Sequence, residues 1–210
     1  INPVRTGYNS IADQWIGIRP GTDGLLVLSL VHTLLKRKKI DLEYLQSFTN
    51  APFLVNISSN DENKRLFLRD KDGVPLVLDH FSGELKRFSD KGVKPSLTKS
   101  HSNKNGSFKT VFSLLTEKYL DDSYSPKLIA PQCGLKEEQI LSLAEEIAST
   151  AFNKAIHIDQ DWIDFRGEKR SGFVGRPVSF HAMRGISAHS NGFQTCRAIH
   201  LLQIIIGSVD

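Results

Sequence analysis

Cysteine is scarce in this 210-residue sequence, which contains only Cys133 and Cys196. The two residues lie far apart and do not have the spacing that zinc or iron–sulfur sites require. The sequence therefore offers no cysteine-built metal centre, and we predict no metal ligand in this chain. Such sparse cysteine is compatible with a reducing compartment and also with a periplasmic protein.

Long apolar runs and a leader segment are also missing. No stretch reaches the roughly 20 apolar residues of a membrane-spanning helix, and no signal peptide is recognisable. The sequence begins at Ile1 without an initiator methionine and stops at Asp210, directly after an apolar helical pattern. We therefore interpret it as a piece of a longer polypeptide.

The charge is only mildly unbalanced, with a net charge of +4 and a pI of about 9.0. Much of the basic excess lies in residues 36–39 and 86–109. These runs lack interleaved aromatic residues and match no nucleic-acid-binding module, so nucleic acid is not an expected partner. We interpret them as a solvated helix end and a solvated loop.

The first 39 residues have the pattern of half an α/β nucleotide-binding unit. Pro3 lacks an N–H and holds Asn2 in extended geometry, so a strand is predicted to end here. Residues 15–18 have strand character, and residues 23–37 form an apolar helical pattern typical of a buried helix, in which His32 is interpreted as a core histidine. In doubly wound sheets the ligand lies just beyond the carboxyl ends of the strands.

The residues after the first strand and those before the buried helix are candidate ligand contacts. Arg5 presents a fork of donors suited to phosphate, and Thr6 offers a hydroxyl. A helix start, here after Gly21 and Thr22, presents free N–H groups to an anion. The acceptor-only carboxylate of Asp23 can take two hydrogen bonds from the N1–H and amine of a guanine. The alternative is that Thr22 or Asp23 only caps the helix.

The middle of the chain has a different character. We predict a β-hairpin from residues 66–69 and 75–79, joined by the Asp72-Gly73 turn, and then a polar loop over residues 82–107. The predicted segments are an α/β half-unit at 1–57, a hairpin and polar-loop insertion at 58–108, and an α/β continuation at 109–210.

Helical periodicity resumes after the polar loop. We predict a surface loop at residues 159–168, because the spacing of its acidic residues matches no calcium loop, and a strand at residues 176–182. The predicted helices cover residues 42–48, 109–120, 126–134 and 136–152.

A second candidate site lies in residues 183–192, before a predicted helix at 193–206. Arg184 can hold a phosphate, or a carbonyl or ring nitrogen of a heterocycle, by its fork of donors. Gly185 lets the backbone approach a ligand, and His189 can donate to a heterocycle or to an oxo group. The alternative is a turn with a helix cap and a histidine that only lines the helix.

Both ends of the chain resemble the molybdopterin oxidoreductases of the dimethyl sulfoxide reductase type. The N-terminal resemblance lies in NPV, DQWI and IRPGTDG, an apolar helix and DLEYLQSFTNAPFLV. The C-terminal resemblance lies in GRPV and HAMRGISAHSNGFQTCRAIHLLQIIIGSVD. Within the family, the chain resembles the sulfite dehydrogenase and thiosulfate or polysulfide reductase branch in particular. The resemblance implies a Rossmann-like dinucleotide-binding segment of the dimethyl sulfoxide reductase fold, with a small hairpin and loop insertion.

The resemblance also implies a function for the parent chain. It would be the catalytic subunit of a molybdenum-dependent oxidoreductase that moves two electrons, often with an oxygen atom, on a small sulfur-oxo or related substrate. The implied cofactors are molybdenum bis(molybdopterin guanine dinucleotide) and, in a preceding part of the chain, a [4Fe-4S] cluster. The implied partners are an iron–sulfur electron-transfer subunit together with a membrane anchor subunit. The parent is expected to be bacterial, and cytoplasmic, at the membrane face through its partners, or periplasmic.

The family pattern implies roles for individual residues. Arg184 and His189 would lie at the pterin or substrate near the metal and are the candidate catalytic residues. Ala188 departs from the polar residue of several relatives, so no side-chain contact is expected there. The segment alone is expected to be inactive, because the molybdenum ligand lies outside it. The expected cofactor contacts are Asn2, Pro3, Val4, Arg5, Thr6, Gly21, Thr22, Asp23, Arg184 and Gly185.

Two other functions remain compatible with the residues. A non-catalytic guanine-nucleotide-binding module would bind nucleotide without metal. A basic interaction domain would use residues 86–109 to meet an acidic partner or nucleic acid, with an affinity that falls steeply as salt is added.

Overall fold

The computed structural model of the protein describes residues 1–58, 62–104 and 106–208. These residues form a mixture of helices and short strands, which confirms the predicted α/β character in this general sense. The chain divides into two compact units. Unit 1 consists of Ile1–Ile40, Tyr119–Ile156 and Gly175–Asp210, and unit 2 of Asp41–Lys118 and His157–Val174.

The helices and strands are short, and most of unit 1 is helical. In chain order the helices are α1 (Asp23–Lys36), α2 (Leu42–Phe48), α3 (Val111–Tyr119), α4 (Pro126–Cys133), α5 (Glu137–Ala148), α6 (Arg184–Ser187) and α7 (Gly192–Ile206). The strands are β1 (Leu54–Asn56), β2 (Leu76–Leu78), β3 (Leu85–Arg87), β4 (His101–Asn103), β5 (Gly106–Thr110), β6 (Ile156–Ile163) and β7 (Lys169–Gly175).

Helix α1 is the centre of unit 1 and packs against α4, α5 and α7. Its residues Leu26, Leu30 and Leu34 are almost completely buried, so the prediction of a buried helix is confirmed. The interpretation of His32 as a core histidine is also confirmed, because its ring is buried and its Nδ1 lies 2.8 Å from the backbone oxygen of Tyr119. Burial of this apolar face is the main stabilising contribution of the helix.

The ends of α4 follow from its sequence. Pro126 occupies the first turn, where its missing N–H costs nothing, and Gly134 ends the helix in the left-handed conformation with a φ of 72°. The following helix, α5, buries Ile140 and Ala144 and turns its glutamates outward. The predictions of both helices are confirmed.

Unit 2 contains small antiparallel sheets. Strand β5 pairs with β1 on one side and β4 on the other, and β2 pairs with β3. Leu54 of β1, Leu78 of β2 and Phe108 of β5 form its buried core. Helix α2 begins as predicted, because the side chain of Asp41 accepts a hydrogen bond from the N–H of Tyr44 at 2.9 Å.

The strand predictions in unit 2 need correction. The predicted hairpin is formed only in part: Arg69 makes an isolated bridge with Pro75 and the N–H of Leu76 donates to the oxygen of Leu68 at 2.9 Å, whereas the ladder of β2 is with β3. The polar loop predicted at 82–107 is wrong, because β3, β4 and the start of β5 lie within it. Three-residue strands are too short to show a period of two in the sequence. Residues 59–61 of the predicted insertion, and residue 105 of the predicted loop, lie outside the described part.

Four further predictions are wrong. The acidic surface loop predicted at 159–168 contains most of β6, which pairs with β7. Within the described residues, three predicted strands form no ladder: the one ending at Pro3, the one at residues 15–18 and the one at residues 176–182. In the described part of the chain, the first two are joined by one backbone hydrogen bond, from the N–H of Asn2 to the oxygen of Ile16 at 3.1 Å, and by one from the indole of Trp15 to the oxygen of Asn2. The division into three segments stays a prediction.

Within the described residues, no helix is both long and apolar enough to span a bilayer.

Candidate functional site

The first candidate loop, residues 2–6, is anchored to Trp15. The indole Nε1 of Trp15 donates to the backbone oxygen of Asn2 at 3.0 Å, and the Asn2 side chain accepts from the N–H of Val4 at 3.0 Å. The guanidinium of Arg5 lies 4.9 Å from the centroid of the Trp15 ring. Arg5 and Thr6 are exposed, so the loop presents a positive charge and a hydroxyl to its surroundings.

The second candidate loop, residues 19–23, leads into α1. Gly21 has a φ of 78°, which a glycine adopts without strain. The hydroxyl of Thr22 donates to the backbone oxygen of Arg19 at 2.7 Å and does not cap α1. Within the described residues the carboxylate of Asp23 has no hydrogen bond or ion pair. The capping alternative is therefore not observed, and the first N–H groups of α1 have no side-chain acceptor.

The third candidate loop contains a short helix that was not predicted. Arg184 and Gly185 lie in α6, and the side chains of Arg184 and His189 are exposed and make no hydrogen bond or ion pair in the described part of the chain. Asn191 is the residue before α7, yet its side chain does not cap that helix either. Gly192 is required at the start of α7, because an added Cβ would lie 2.3 Å from the backbone oxygen of Ser187.

The second and third loops come together where α1 and α7 begin. The amide Nδ2 of Asn191 donates to the backbone oxygen of Gly21 at 3.4 Å. A Cβ added at Gly21 would lie 4.0 Å from the Nδ1 of His189, and one added at Gly24 only 2.9 Å from the Oγ1 of Thr195. The two glycines thus let two helix N-termini meet, and no side chain among the described residues caps either terminus.

This junction has the chemistry of an anion-binding site. Free N–H groups and the positive ends of two helix dipoles favour negative charge, and the exposed ring of His189 lies beside Gly21. Asp23 adds an acceptor that suits a ring with paired donors. Within the described residues, no group of three or more His, Cys, Asp and Glu side chains is arranged to hold a metal ion.

Sequence reasoning identified the loops but missed several residues that join them. Asn191, which the sequence offers together with Ser190 as a cap of the last helix, links the two loops instead, and Thr195 carried no signal in the sequence. Cys133 is fully buried behind the second loop, where its Sγ lies 3.7 Å from the backbone oxygen of Thr22. Burial raises the pKa of this thiol above its ordinary value. In the sequence, only the glycines at the starts of α1 and α7 indicated that the second and third loops could approach each other closely.

Comparison with known proteins gives matches along the whole chain. It is 35% identical over 222 residues to a sulfite dehydrogenase subunit of Allochromatium vinosum, a match that covers 100% of this chain and 22% of that protein. It is 25% identical over 218 residues to the major subunit of the nitrate-inducible formate dehydrogenase of Escherichia coli, covering 100% of this chain and 18% of that protein. A shorter match, 41% identical over 74 residues, covers 34% of the chain and 7% of the alpha subunit of the perchlorate reductase of Dechloromonas aromatica. No family model matches the chain.

These relatives are subunits of dehydrogenases and reductases, so the class is that of the oxidoreductases. Within it, the chain belongs to the molybdopterin oxidoreductases of the dimethyl sulfoxide reductase family, as part of a catalytic subunit. The family predicted from the two ends of the sequence is confirmed. The chain spans about a fifth of the length of the first two relatives.

Proposed function

We propose that the second and third loops of unit 1 bind the guanine dinucleotide part of a molybdenum bis(molybdopterin guanine dinucleotide) cofactor. The observation that carries the proposal is the meeting of two uncapped helix N-termini at Gly21 and Gly24. Such a junction suits a pyrophosphate, because it presents several free N–H groups to the same anion. We further propose that this junction is the dinucleotide-binding part of the segment. The ligand contacts would then be made by the starts of two helices, and not by the ends of parallel strands as in a doubly wound sheet.

The residues present fit this group. Asp23 has an unpartnered carboxylate at the junction, within the part of the chain that the structure describes, and this suits the paired donors of a guanine. A Cβ added at Gly185 would meet no heavy atom within 4 Å, so there is open space beside this backbone for a ligand. In this proposal Arg5 and Thr6 contact phosphate or ribose, and Arg184 and His189 contact the pterin or the substrate.

When bound, the cofactor supplies two-electron and oxygen-atom transfer, and the protein binds and orients it. The proposed substrate is a small sulfur-oxo or related compound, because a sulfite dehydrogenase subunit is among the relatives. The relatives are named as subunits, which supports partners for the parent protein. We propose an iron–sulfur electron-transfer subunit, a membrane anchor subunit, and, in the same catalytic subunit, a [4Fe-4S] cluster.

The first test is a composition measurement on the native protein that contains this segment. Molybdenum or tungsten, iron and released guanine nucleotide are measured on one preparation. The proposal expects stoichiometric metal and about two guanine nucleotides per chain, as a bis(dinucleotide) cofactor requires. A well-folded protein with nucleotide but no metal would instead support the non-catalytic module, and neither metal nor nucleotide would contradict both.

Substitution of Asp23 tests the proposed guanine contact. We expect Asp23→Ala in the native protein to release guanine dinucleotide about 10-fold faster or more, because hydrogen bonds to a charged acceptor contribute about 1.5–3 kcal/mol. The thermal midpoint of the nucleotide-free protein should stay nearly unchanged, since Asp23 has no partner within the described residues. Asp13→Ala, which removes another exposed carboxylate of unit 1, is the matched control. Equal release rates for the two variants would contradict the contact.

No observation favours the basic interaction domain. Within the basic run, Lys86 lies 3.7 Å from Asp79, and Lys109 lies 2.6 Å from Glu117. Both lysines are therefore already neutralised in part by their own unit.

A further inference from the structure

The loop that precedes α1 is attached to the end of another helix. The backbone N–H of Arg19 donates to the oxygen of Cys133 at 2.9 Å, and its guanidinium Nη1 donates to the oxygen of Gln132 at 2.8 Å. Both oxygens belong to the last turn of α4, whose carbonyl groups have no partner within the helix. A cation at this position also complements the negative end of the helix dipole.

The same residue fixes the start of α1. The backbone oxygen of Arg19 accepts from the hydroxyl of Thr22 at 2.7 Å and from its N–H at 3.3 Å. On the other side, the thiol of Cys133 reaches the backbone oxygen of Thr22. The turn is therefore held at both of its ends by the last turn of α4, one residue before Asp23.

We propose that Arg19 is a positioning residue for the nucleotide. Its contacts with the end of α4 set the orientation of the turn, and through it the direction of the first N–H groups of α1 and of the Asp23 carboxylate. In this role Arg19 acts through the turn and not by contact with the ligand, since its Nη1 donates to the backbone oxygen of Gln132. This inference rests on the proposed function of the second loop.

A general contribution to folding would look different from positioning. The side chain of Arg19 is exposed and buries little apolar surface, so its removal leaves the packing of α1 against α4 in place. A positioning role predicts that the effect of losing Arg19 depends on Asp23, because Arg19 acts through the turn that carries that carboxylate. A role in stability alone predicts effects that add.

The test is a double-mutant cycle on the native protein, with the rate of guanine dinucleotide release as readout. We expect Arg19→Ala to release nucleotide about 5-fold faster and Arg19→Lys, which keeps a charged donor, to restore part of the difference. In an Asp23→Ala background, Arg19→Ala should add less than about 2-fold. Arg37→Ala, which removes an exposed arginine at the other end of α1, should release nucleotide at the original rate.

The outcomes distinguish a failure of the positioning role of Arg19 from a failure of the nucleotide site itself. If Asp23→Ala speeds release and Arg19→Ala does not, or if the two effects multiply, the positioning role is wrong while the nucleotide site stands. If neither variant changes release, the nucleotide site itself is wrong. Arg19→Gln, with the same expectation, replaces the alanine variant if that variant does not fold. Hydrogen exchange at Thr22 and Leu25, whose amides donate to the backbone oxygens of Arg19 and Thr22, should rise in the Arg19 variants, and unchanged exchange would also overturn the positioning role.

Discussion

In unit 2 the carboxylate of Asp79 accepts hydrogen bonds from the N–H groups of Ser82 and Lys94, at 2.9 and 3.2 Å, whereas in unit 1 the carboxylate of Asp23 accepts none within the described residues. Asp164 resembles Asp79, because it accepts from two backbone N–H groups and an arginine. Both aspartates of unit 2 hold a tight turn between strands. Asp23 stands at a helix start and holds nothing in the described part of the chain.

The difference separates two uses of the same side chain. A carboxylate whose acceptor positions are filled by its own backbone stabilises the fold and has little left for a ligand. A carboxylate left open beside uncapped helix N–H groups complements the positive end of the helix dipole and keeps its acceptor positions available to a partner. Substitutions in the two units should therefore affect different measurements.

The largest effect is expected at Asp79. Hydrogen bonds from Ser82 and Lys94 hold the pKa of its carboxyl well below its ordinary value. In Asp79→Asn, the side-chain NH2 would face the N–H of Lys94, and the negative charge beside Lys86 would be lost. We expect the largest loss of stability in this comparison, measured as faster hydrogen exchange in β2 and β3. Asp23→Asn should leave that exchange unchanged. An equal rise in exchange for Asp79→Asn and Asp23→Asn would contradict the proposed difference between the two aspartates.

Asp79→Asn should also change how the stability of β2 and β3 depends on pH. The pKa of the Asp79 carboxyl in the folded protein lies below that of an unfolded chain, about 3.9. Its stabilisation is therefore complete above about pH 5 and is lost as pH falls through the folded-state pKa. Protection of β2 and β3 should fall more steeply in acid for the original protein than for Asp79→Asn. Parallel pH profiles would contradict this.

A smaller loss of stability is expected at Gly192 in unit 1. The added Cβ of Gly192→Ala would overlap the backbone oxygen of Ser187, so the turn into α7 must shift. We expect a loss of about 1–3 kcal/mol in the free energy of unfolding, measured by denaturant titration of the native protein. An unchanged value would show that this turn adjusts freely and is not held in place.

The smallest change in stability is expected at Gly185, which is the matched control for Gly192. Its added Cβ meets no heavy atom within 4 Å, so Gly185→Ala should change the unfolding free energy by less than about 0.5 kcal/mol. Nucleotide release should nevertheless become faster, because the methyl group would occupy space proposed for the ligand. If Gly185→Ala lost stability but released nucleotide at the original rate, Gly185 would be a structural residue and not part of the ligand site.

The helices could be predicted because their signals are local. The apolar pattern of α1 and α5, and the Pro126 and Gly134 that bound α4, act within one or two turns of chain. The strands could not, since they depend on distant partners, and those of three residues are also too short to show a period of two. Leu54 of β1, for example, lies opposite Thr110 of β5.

The site shows the same division. Gly21, Asp23 and Arg184 could be identified one loop at a time from the residues around them. Their arrangement could not, because the contact between Gly21 and Asn191 joins residues 170 positions apart. The engagement of Arg19 by the end of α4 is a similar long-range contact, 113 positions apart for Gln132.

That separation has a consequence for synthesis of the protein. During translation α1 emerges early, but α7, which completes the junction at Gly21, emerges only after all of unit 2 has been made. Contacts between such distant residues form late, because the intervening chain must first be ordered. The junction therefore arises late in the folding of this segment, so a ligand that needs both helix starts can enter only after the segment itself is nearly folded.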